Sequence, residues 1–231
     1  MKNKIIAVTG SYKGIGFEIV KQLASLGHTL ILTSRNQQKG ENAARSLIDL
    51  GYSVHYCFLD VTVDKSIDDF FRYILSNFTK LDILINNAAV LLKEDKSLVN
   101  IDEFIYQTTI ATNAEAPLKL SRKLIQLMPP GSKIINVSSS GGSMSGPVGG
   151  WSPAYCVSKS YLNAITRHLA YYLKDKAIEV NAFDPGWVKS DMGGTSAPRS
   201  LKEGADTAVW LATSDNIGTG NFFHNRKQIP W

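Results

Sequence analysis

The chain alternates short apolar runs with longer segments whose apolar residues recur at helical spacing. Because the runs lack a polar face, the strands they predict are expected to be buried on both sides, as in a parallel sheet covered by helices. Right-handed crossovers between such strands give a doubly wound α/β architecture. The runs lie at residues 5–9, 29–33, 53–59, 81–86, 133–137, 178–183 and 221–223, and the helical segments at 14–26, 37–50, 64–77, 102–128, 153–173 and 201–213.

We therefore predict one doubly wound domain over residues 1–231. Its parallel seven-stranded sheet is expected in the order 3-2-1-4-5-6-7, with helices on both faces. Hydrophobic residues make up 44% of the chain and charged residues 19%, which is the composition of a folded domain with a sizeable core. No linker or repeat interrupts the pattern, so a second domain is not expected.

The charge and the cysteine usage exclude several classes of function. The formal net charge is +5, but Lys and Arg are scattered singly, so no nucleic-acid partner is predicted. The two cysteines form no CxxC motif and the four histidines have no metal-ligand spacing, so no metal is predicted. No apolar run reaches membrane-spanning length and no signal-peptide pattern opens the chain. A cytoplasmic protein without a membrane partner is the expectation.

A glycine-rich turn joins the first predicted strand to the first predicted helix. Gly10, Lys13, Gly14, Ile15 and Gly16 belong to this turn. Glycines there allow a tight bend and a close approach of the backbone to a pyrophosphate, which the start of the helix binds through its N–H groups. The turn predicts a dinucleotide site of the Rossmann type. The alternative is a glycine-rich loop with a purely structural role.

The residues after the second strand indicate which dinucleotide binds. An NAD site usually has an acidic residue there, about 20 residues beyond the turn. This chain has Arg35 and no acid, and Lys13 can approach the same position. Two cations without a carboxylate favour the 2′-phosphate of NADP. The alternative is that both are solvated surface residues.

Tyr155 and Lys159 are four residues apart on a predicted helix and therefore lie on one face. A free tyrosine titrates near pH ~10, and a neighbouring cation lowers its pKa toward the range that acid–base catalysis needs. The same pair is also common on ordinary amphipathic helices. Pro117, inside the segment 102–128, predicts a bend in that helix.

Several further motifs occur in a fixed order, and the full set resembles the short-chain dehydrogenases/reductases over essentially the entire chain. Its last part, PGWVKSDMGG followed by SLKEGADTAVWLA and NFFHNRKQIPW, is similar to the carbonyl-reductase-like branch. The motifs are the turn TGSYKGIG, Asn86-Asn87-Ala88-Ala89, Asn113, Ser138-Ser139, Tyr155 with Lys159, and Asp184-Pro185-Gly186.

The resemblance implies four catalytic residues. Asn113 would hold an ordered water that links Lys159 to solvent. Ser139 would hydrogen-bond the substrate carbonyl, with Ser138 and Ser140 as rivals for this role. Tyr155 would donate the proton, and Lys159 would lower the pKa of Tyr155 and hold the nicotinamide ribose. Hydride transfer builds negative charge on the carbonyl oxygen, which a hydroxyl and an acid at these positions can stabilise.

The resemblance also implies the residues that bind NADPH or NADP. Asp60 and Val61 are expected on the adenine side. The nicotinamide and the trough that leads to it are expected at Asn87, Ala88, Pro185, Gly186, Val188 and Ser190, in addition to Tyr155 and Lys159.

The chain departs from the family pattern at three points. Ala89 replaces a common glycine, and Asp184 stands where asparagine commonly precedes Pro-Gly. The long insertion that precedes the catalytic tyrosine in monomeric carbonyl reductases is absent. In the family that insertion covers a dimer face, so its absence implies a homodimer or homotetramer.

The substrate is expected to be a small, apolar carbonyl compound. The segment 187–200 is predicted to form a small lid, and Met144, Trp151, Trp187 and Met192 can supply apolar walls or simply pack loops on the core. NADPH-dependent reduction of an aldehyde, ketone or quinone is the predicted function. The alternatives are a regulatory dinucleotide-binding protein with weak activity and, against the evidence of Arg35, an NAD-dependent alcohol oxidation.

Overall fold

The computed structural model describes residues 3–231, so residues 1 and 2 of the predicted domain lie outside the described part. Its sheet has eight strands in the order β3-β2-β1-β4-β5-β6-β7-β8. All neighbours are parallel except β7 and β8. The strands are β1 (Ile5–Val8), β2 (Thr29–Ser34), β3 (Val54–Phe58), β4 (Ile83–Asn86), β5 (Lys133–Val137), β6 (Glu179–Asp184), β7 (Phe222–His224) and β8 (Lys227–Ile229).

Within residues 3–231, seven α-helices accompany the strands. A π-helical turn, Ala111–Glu115, joins α4 to α5, and short 3₁₀ turns occur at Ile125–Leu127, Ser140–Gly142 and Lys174–Lys176. The helices are α1 (Gly14–Ser25), α2 (Gln37–Ile48), α3 (Asp64–Phe78), α4 (Glu103–Ile110), α5 (Ala116–Leu124), α6 (Pro153–Leu173) and α7 (Leu201–Thr213).

Two apolar layers hold the helices against the sheet. Successive residues of a strand point to opposite faces, so Ile6 and Val8 of β1 pack in one layer with α1, α2 and α7. Ala7 of the same strand packs in the other layer with α3, α5 and α6. The predicted three-layer architecture, including the predicted order of the first seven strands, is confirmed.

The eighth strand is the main difference from the predicted sheet. Asn225 and Arg226 both have positive φ, 50° and 62°, and reverse the chain in a two-residue turn. Such a turn usually contains glycine, and the sequence therefore gave no hairpin signal here. The predicted bend in the segment 102–128 is also displaced, because the helix is interrupted at the π turn and Pro117 lies in the first turn of α5.

Candidate active site

The candidate site lies beyond the carboxyl ends of β5 and β6, where a cavity of about 610 Å³ opens. Ligand sites of doubly wound sheets form at this edge, and the volume is that of a small-molecule pocket. Seven predicted site residues line it: Ile15, Ser139, Tyr155, Pro185, Gly186, Val188 and Ser190.

The phosphate turn has the geometry that the glycines predict. Gly10 and Gly14 have φ of 60° and 62°. A Cβ atom at Gly16 would lie 2.4 Å from Nδ2 of Asn87, so only glycine lets α1 approach the end of β4 this closely. Asn87 Nδ2 donates to the carbonyls of Thr9 and Gly10 at 2.9 and 3.1 Å, which fixes the turn to β4.

The start of α1 is free to bind an anion. The N-cap residue Lys13 makes no side-chain capping bond and the first turn has no acidic residue. The unpaired N–H groups and the helix dipole favour a negatively charged group at this point. A pyrophosphate therefore fits the turn, and the predicted dinucleotide is compatible with the residues present.

Basic side chains surround the mouth of the turn. Lys13 pairs with Asp191 of the segment 187–200 at 2.5 Å. The hydrogen bond from Lys13 lowers the pKa of Asp191, and the charge of Lys39, which the sequence analysis did not single out, lowers it further. Arg35 is exposed and directly follows β2. Lys13 therefore joins the turn to that segment.

The other predicted cofactor residues follow neighbouring strand ends and do not line the cavity. The Thr9 hydroxyl accepts from the N–H groups of Asn87 and Ala88, both at 2.9 Å. Asp60 Oδ1 accepts hydrogen bonds from the N–H and the hydroxyl of Thr62, at 3.0 and 2.7 Å. Val61 is buried. These contacts shape the carboxyl edge of the sheet over the ends of β1, β3 and β4.

Tyr155 is only 8% exposed and lies on α6 with its phenol in the cavity. Burial raises the pKa of Tyr155 above its ordinary value; a hydrogen bond with Ser139 lowers it and the charge of Asp184 raises it. The sequence predicted a lowered pKa at this residue. In the structure the net direction is upward, because the loss of water around the phenolate outweighs the hydrogen bond.

Ser139 is distinguished from its neighbours by its contacts. Ser138 donates to Oδ1 of Asn163 at 2.6 Å, so its hydroxyl is engaged in the core, and Ser140 is exposed. The Ser139 oxygen accepts from the N–H of Gly141 at 3.1 Å and its hydroxyl faces Tyr155. Ser139 is therefore the serine whose hydroxyl is paired with the phenol.

Lys159 lies behind Tyr155. Its Nζ is 5.5 Å from the centre of the Tyr155 ring and donates to the carbonyl of Val137 at 2.8 Å. Burial lowers the pKa of Lys159 to about 7. At neutral pH the Lys159 amine is therefore only partly protonated.

Asn113 lies in the π turn and is 1% exposed. Its Oδ1 accepts from the N–H of Val90 at 2.8 Å, and its Nδ2 donates to the Val90 carbonyl and to Ser158 at 2.9 and 3.1 Å. The side chain thus connects the segment after β4 to α6. Both amide N–H donors of Asn113 are used in this way, so a water at this residue would be bound by main-chain atoms or by the second lone pair of Oδ1. π turns often occur at functional sites.

Asp95 fixes the start of the helix that carries Tyr155, and the sequence analysis missed it. Its two carboxylate oxygens accept from the N–H groups of Ala154 and Tyr155 at 3.0 and 2.9 Å, and the side chain is fully buried. Ser152, the residue at the N-cap position, is left-handed with φ of 38° and makes no side-chain cap. A buried carboxylate from another segment therefore replaces the usual local cap.

Two glycines after the serines let their loop pack on α6. A Cβ at Gly142 would lie 2.6 Å from the backbone of Lys159, and one at Gly141 would lie 2.9 Å from Cys156 and Trp151. Asn163 donates to the Gly142 carbonyl at 3.0 Å. These two glycines thus hold Ser139 close to the helix that carries Tyr155.

The cavity walls are largely apolar. Of the four predicted wall residues, Trp151, Trp187 and Met192 line the cavity, whereas Met144 does not and is 81% exposed. The Met144 N–H instead donates to the carbonyl of Trp231 at 3.0 Å, which holds this loop against the end of the chain. Leu91, which the sequence analysis missed, adds a fourth apolar side chain.

A glycine turn before an uncapped helix, beside a cavity that buries a tyrosine next to a lysine, is the arrangement of a nucleotide-dependent, doubly wound α/β enzyme. A comparison with protein families gives a narrower class. Residues 4–200 match the short chain dehydrogenase family, and the chain belongs to this family.

Individual relatives are similar over nearly the whole chain. Carbonyl reductase (NADPH) 1 of Sus scrofa is 30% identical over 276 aligned residues, which cover 99% of this chain and 94% of the relative. The NADPH-bound carbonyl reductase from chicken fatty liver is 25% identical with a TM-score of 0.90, and carbonyl reductase Sniffer of D. melanogaster 27% with 0.89. Each of these two alignments covers 100% of this chain and 100% of the solved structure's chain.

Residues 3–231 lack two kinds of feature. Their helices include none long and apolar enough to span a bilayer. Nor do these residues contain a group of three or more His, Cys, Asp or Glu side chains placed to hold a metal ion.

Proposed function

We propose that this protein is an NADPH-dependent reductase that transfers a hydride to the carbonyl group of an aldehyde, ketone or quinone and yields an alcohol. The observation that carries the proposal is the convergence of Tyr155, Ser139 and Lys159 at one cavity beside an anion-binding helix start. The names of the relatives, carbonyl reductases that use NADPH, support both the cofactor and the reaction.

The chain offers a continuous edge for the cofactor. The start of α1 would hold the pyrophosphate, Asp60 and Val61 would border the adenine, and Asn87 and Ala88 would line the trough that leads to the nicotinamide. Pro185, Gly186, Val188 and Ser190 line the cavity where the nicotinamide would lie. When bound, the cofactor supplies the hydride.

Tyr155 is the proposed proton donor. Because its pKa is raised by burial, the phenol is protonated at neutral pH and can give its proton to the carbonyl oxygen as charge develops there. The Ser139 hydroxyl donates a hydrogen bond to the same oxygen, in a buried site where such a bond is strong. We propose that Lys159 and a water at the main chain of Asn113 then return a proton to Tyr155.

Cofactor selectivity is the first test. In Arg35→Asp, we expect the Kd of NADPH to rise about 10- to 100-fold, because a charge-assisted hydrogen bond to the 2′-phosphate is replaced by repulsion. The Kd of NADH should change little or fall. Tryptophan fluorescence, with Trp187 in the cavity wall, measures both constants.

Arg122→Asp is the matched control. Arg122 is exposed on α5 and the variant makes the same change in charge away from β2. Its NADPH-to-NADH preference should equal that of the wild type. An unchanged preference in Arg35→Asp removes Arg35 from the cofactor site.

We also propose that apolar groups of the substrate pack on the cavity walls, and that the chain forms a homodimer or homotetramer. Trp151, Trp187, Met192 and Leu91 support the first proposal. The proposed homo-oligomer is supported by a face of exposed aromatic and aliphatic side chains on α6 and α4. Apolar groups aligned at helical spacing on a surface mark interfaces. This face comprises Val157, Tyr161, Tyr171, Tyr172 and Phe104, the last three more than 70% exposed.

The assembly can be measured directly. Sedimentation equilibrium of the wild type is expected to give a multiple of the 25.4 kDa chain mass. Tyr161→Arg with Phe104→Arg should shift the mass to one chain, since two arginines cannot be buried unpaired. A wild-type chain that sediments as a monomer contradicts the proposal. The cytoplasmic location expected from the sequence stays a prediction.

A further inference from the structure

Asp184 places a carboxylate in the wall of the substrate cavity. It is the last residue of β6 and lines the cavity together with Tyr155, and these two are the titratable residues among the described lining. The charge of Asp184 reaches the Tyr155 phenol, since it raises the pKa of that group. Asp184 is therefore close enough to act on whatever is bound at the phenol.

The contacts of Asp184 leave part of its carboxylate free to accept a ligand. Oδ1 accepts from the N–H of Gly186 at 2.9 Å, and Oδ2 lies 3.4 Å from Nδ1 of His224. The same Nδ1 is 3.0 Å from the Asp184 carbonyl. A carboxylate has about four acceptor positions, so these two partners do not saturate it.

His224 lies in β7 and contacts Asp184 from a position outside the cavity lining. Its other ring nitrogen, Nε2, lies 3.0 Å from Nδ2 of Asn225.

The nearby cations do not pair with Asp184. Lys159 is buried with Nζ on the Val137 carbonyl, and Lys13 pairs with Asp191. Arg199 contacts Gly186 and donates from Nη2 to the Glu203 carbonyl at 3.0 Å, its buried Nε has no hydrogen-bond partner, and it makes no ion pair with Asp184 within 4 Å in the described chain. Each of the three is absent from the cavity lining.

The remaining walls suit a cation. The Trp151 ring lies 5.8 Å from that of Tyr155 and is 45% exposed, and Trp187 is 57% exposed across the mouth. Indole faces attract ammonium groups, and a carboxylate beside two indoles is a recognised combination for binding them. An anionic group in the same cavity would meet the carboxylate and find no free cation.

We propose that Asp184, with Trp151 and Trp187, makes this cavity selective for carbonyl compounds that carry a positively charged amine or quaternary ammonium group. The inference rests on the proposed carbonyl reduction and adds the substrate class to it. It also gives a role to the aspartate that replaces the more common asparagine before Pro-Gly.

Three aldehydes with one frame test the inference. They are benzaldehydes with a trimethylammoniomethyl, a neopentyl or a carboxymethyl group at position 4, which are cationic, neutral and anionic. At saturating NADPH we expect kcat/KM of the cation to exceed that of the anion by about 100-fold and that of the neutral compound by about tenfold.

Asp184→Asn is the decisive variant, because its Oδ1 can still accept from Gly186 while the charge is lost. The ratio of kcat/KM for the cationic aldehyde to kcat/KM for the neutral aldehyde should be about tenfold lower in Asp184→Asn than in the wild type. Dividing the wild-type ratio by the variant ratio cancels the intrinsic reactivity of the aldehydes. Asp191→Asn is the matched control: it removes an exposed carboxylate outside the cavity lining, and the ratio should stay as in the wild type. An unchanged ratio in Asp184→Asn overturns the inference.

A binding measurement separates this inference from the proposed function. The Kd of benzyltrimethylammonium for the protein with NADPH, read by tryptophan fluorescence, should rise about tenfold in Asp184→Asn and not in Asp191→Asn. If none of the aldehydes is reduced, the proposed function fails and this measurement alone decides the charge selectivity. Equal binding by wild type and Asp184→Asn contradicts it.

Discussion

Tyr155→Phe is expected to lower kcat for carbonyl reduction about 10³-fold while leaving the Kd of NADPH within about twofold. The substitution removes only the phenol oxygen, so the packing of the ring against Trp151 and the hydrogen bonds that Asp95 accepts from the backbone of α6 remain. A loss of turnover without a loss of cofactor binding therefore isolates proton donation. Loss of NADPH absorbance measures kcat, and tryptophan fluorescence measures Kd.

Tyr73→Phe provides the control for removing a phenol hydroxyl elsewhere. Tyr73 lies on α3 at the other end of the sheet and is not in the cavity. Its kcat should be that of the wild type. Normal turnover in Tyr155→Phe rules out the proposed acid, and loss of both turnover and NADPH binding points to a disturbed fold instead.

The fold was predictable because its determinants are local. Each strand is an apolar run and each helix has its own period, and the parallel arrangement follows from burial on both faces. The eighth strand was not predictable, because the turn at Asn225 and Arg226 uses residues other than glycine at positive φ. Pairing with β7 and the contacts of Arg226 with Thr207 and Asp206 of α7 hold that conformation.

The candidate site also has features that the sequence reveals and features that only the folded structure reveals. The glycine turn and the Tyr155–Lys159 spacing are contained in short segments, so the sequence reveals them. Asp95 caps α6 through the backbone of Ala154 and Tyr155, which follow it by 59 and 60 positions in the sequence. No local sequence pattern marks such a distant contact. The pKa directions at Tyr155 and Lys159 also depend on burial, which only the packed structure defines.

The buried Lys159 creates a conflict between stability and activity. Its pKa falls from 10.5 in the unfolded chain to about 7 in the folded protein, because burial disfavours the ammonium. The unfolded chain therefore binds more protons between these values, and stability rises with pH across this window. Below pH 7 the full cost of burying the charge is present, at most about 5 kcal/mol at 1.36 kcal/mol per pKa unit.

Lys159→Met should therefore change the sign of its effect with pH. The variant removes the buried charge, but it also leaves the Val137 carbonyl without its 2.8 Å donor, which costs about 1–3 kcal/mol. At pH 6 we expect the cofactor-free variant to be more stable than the wild type, and at pH 9 to be equal or less stable. Urea unfolding at both pH values measures the difference.

Lys133→Met shows what the loss of a buried lysine does when the lysine is well paired. Lys133 is 5% exposed, donates to the Leu211 and Ser214 carbonyls and lies 3.3 Å from Glu179. Its removal leaves these partners without their hydrogen bonds and should destabilise the protein at both pH values.

Lys159→Met should also reduce kcat by at least about 100-fold, since the proton return to Tyr155 is lost. A stability difference that does not vary with pH contradicts the lowered pKa, and if activity persists as well, Lys159 has no part in the reaction. If both results are as expected, the protein keeps an unfavourable buried amine because the chemistry at Tyr155 requires it.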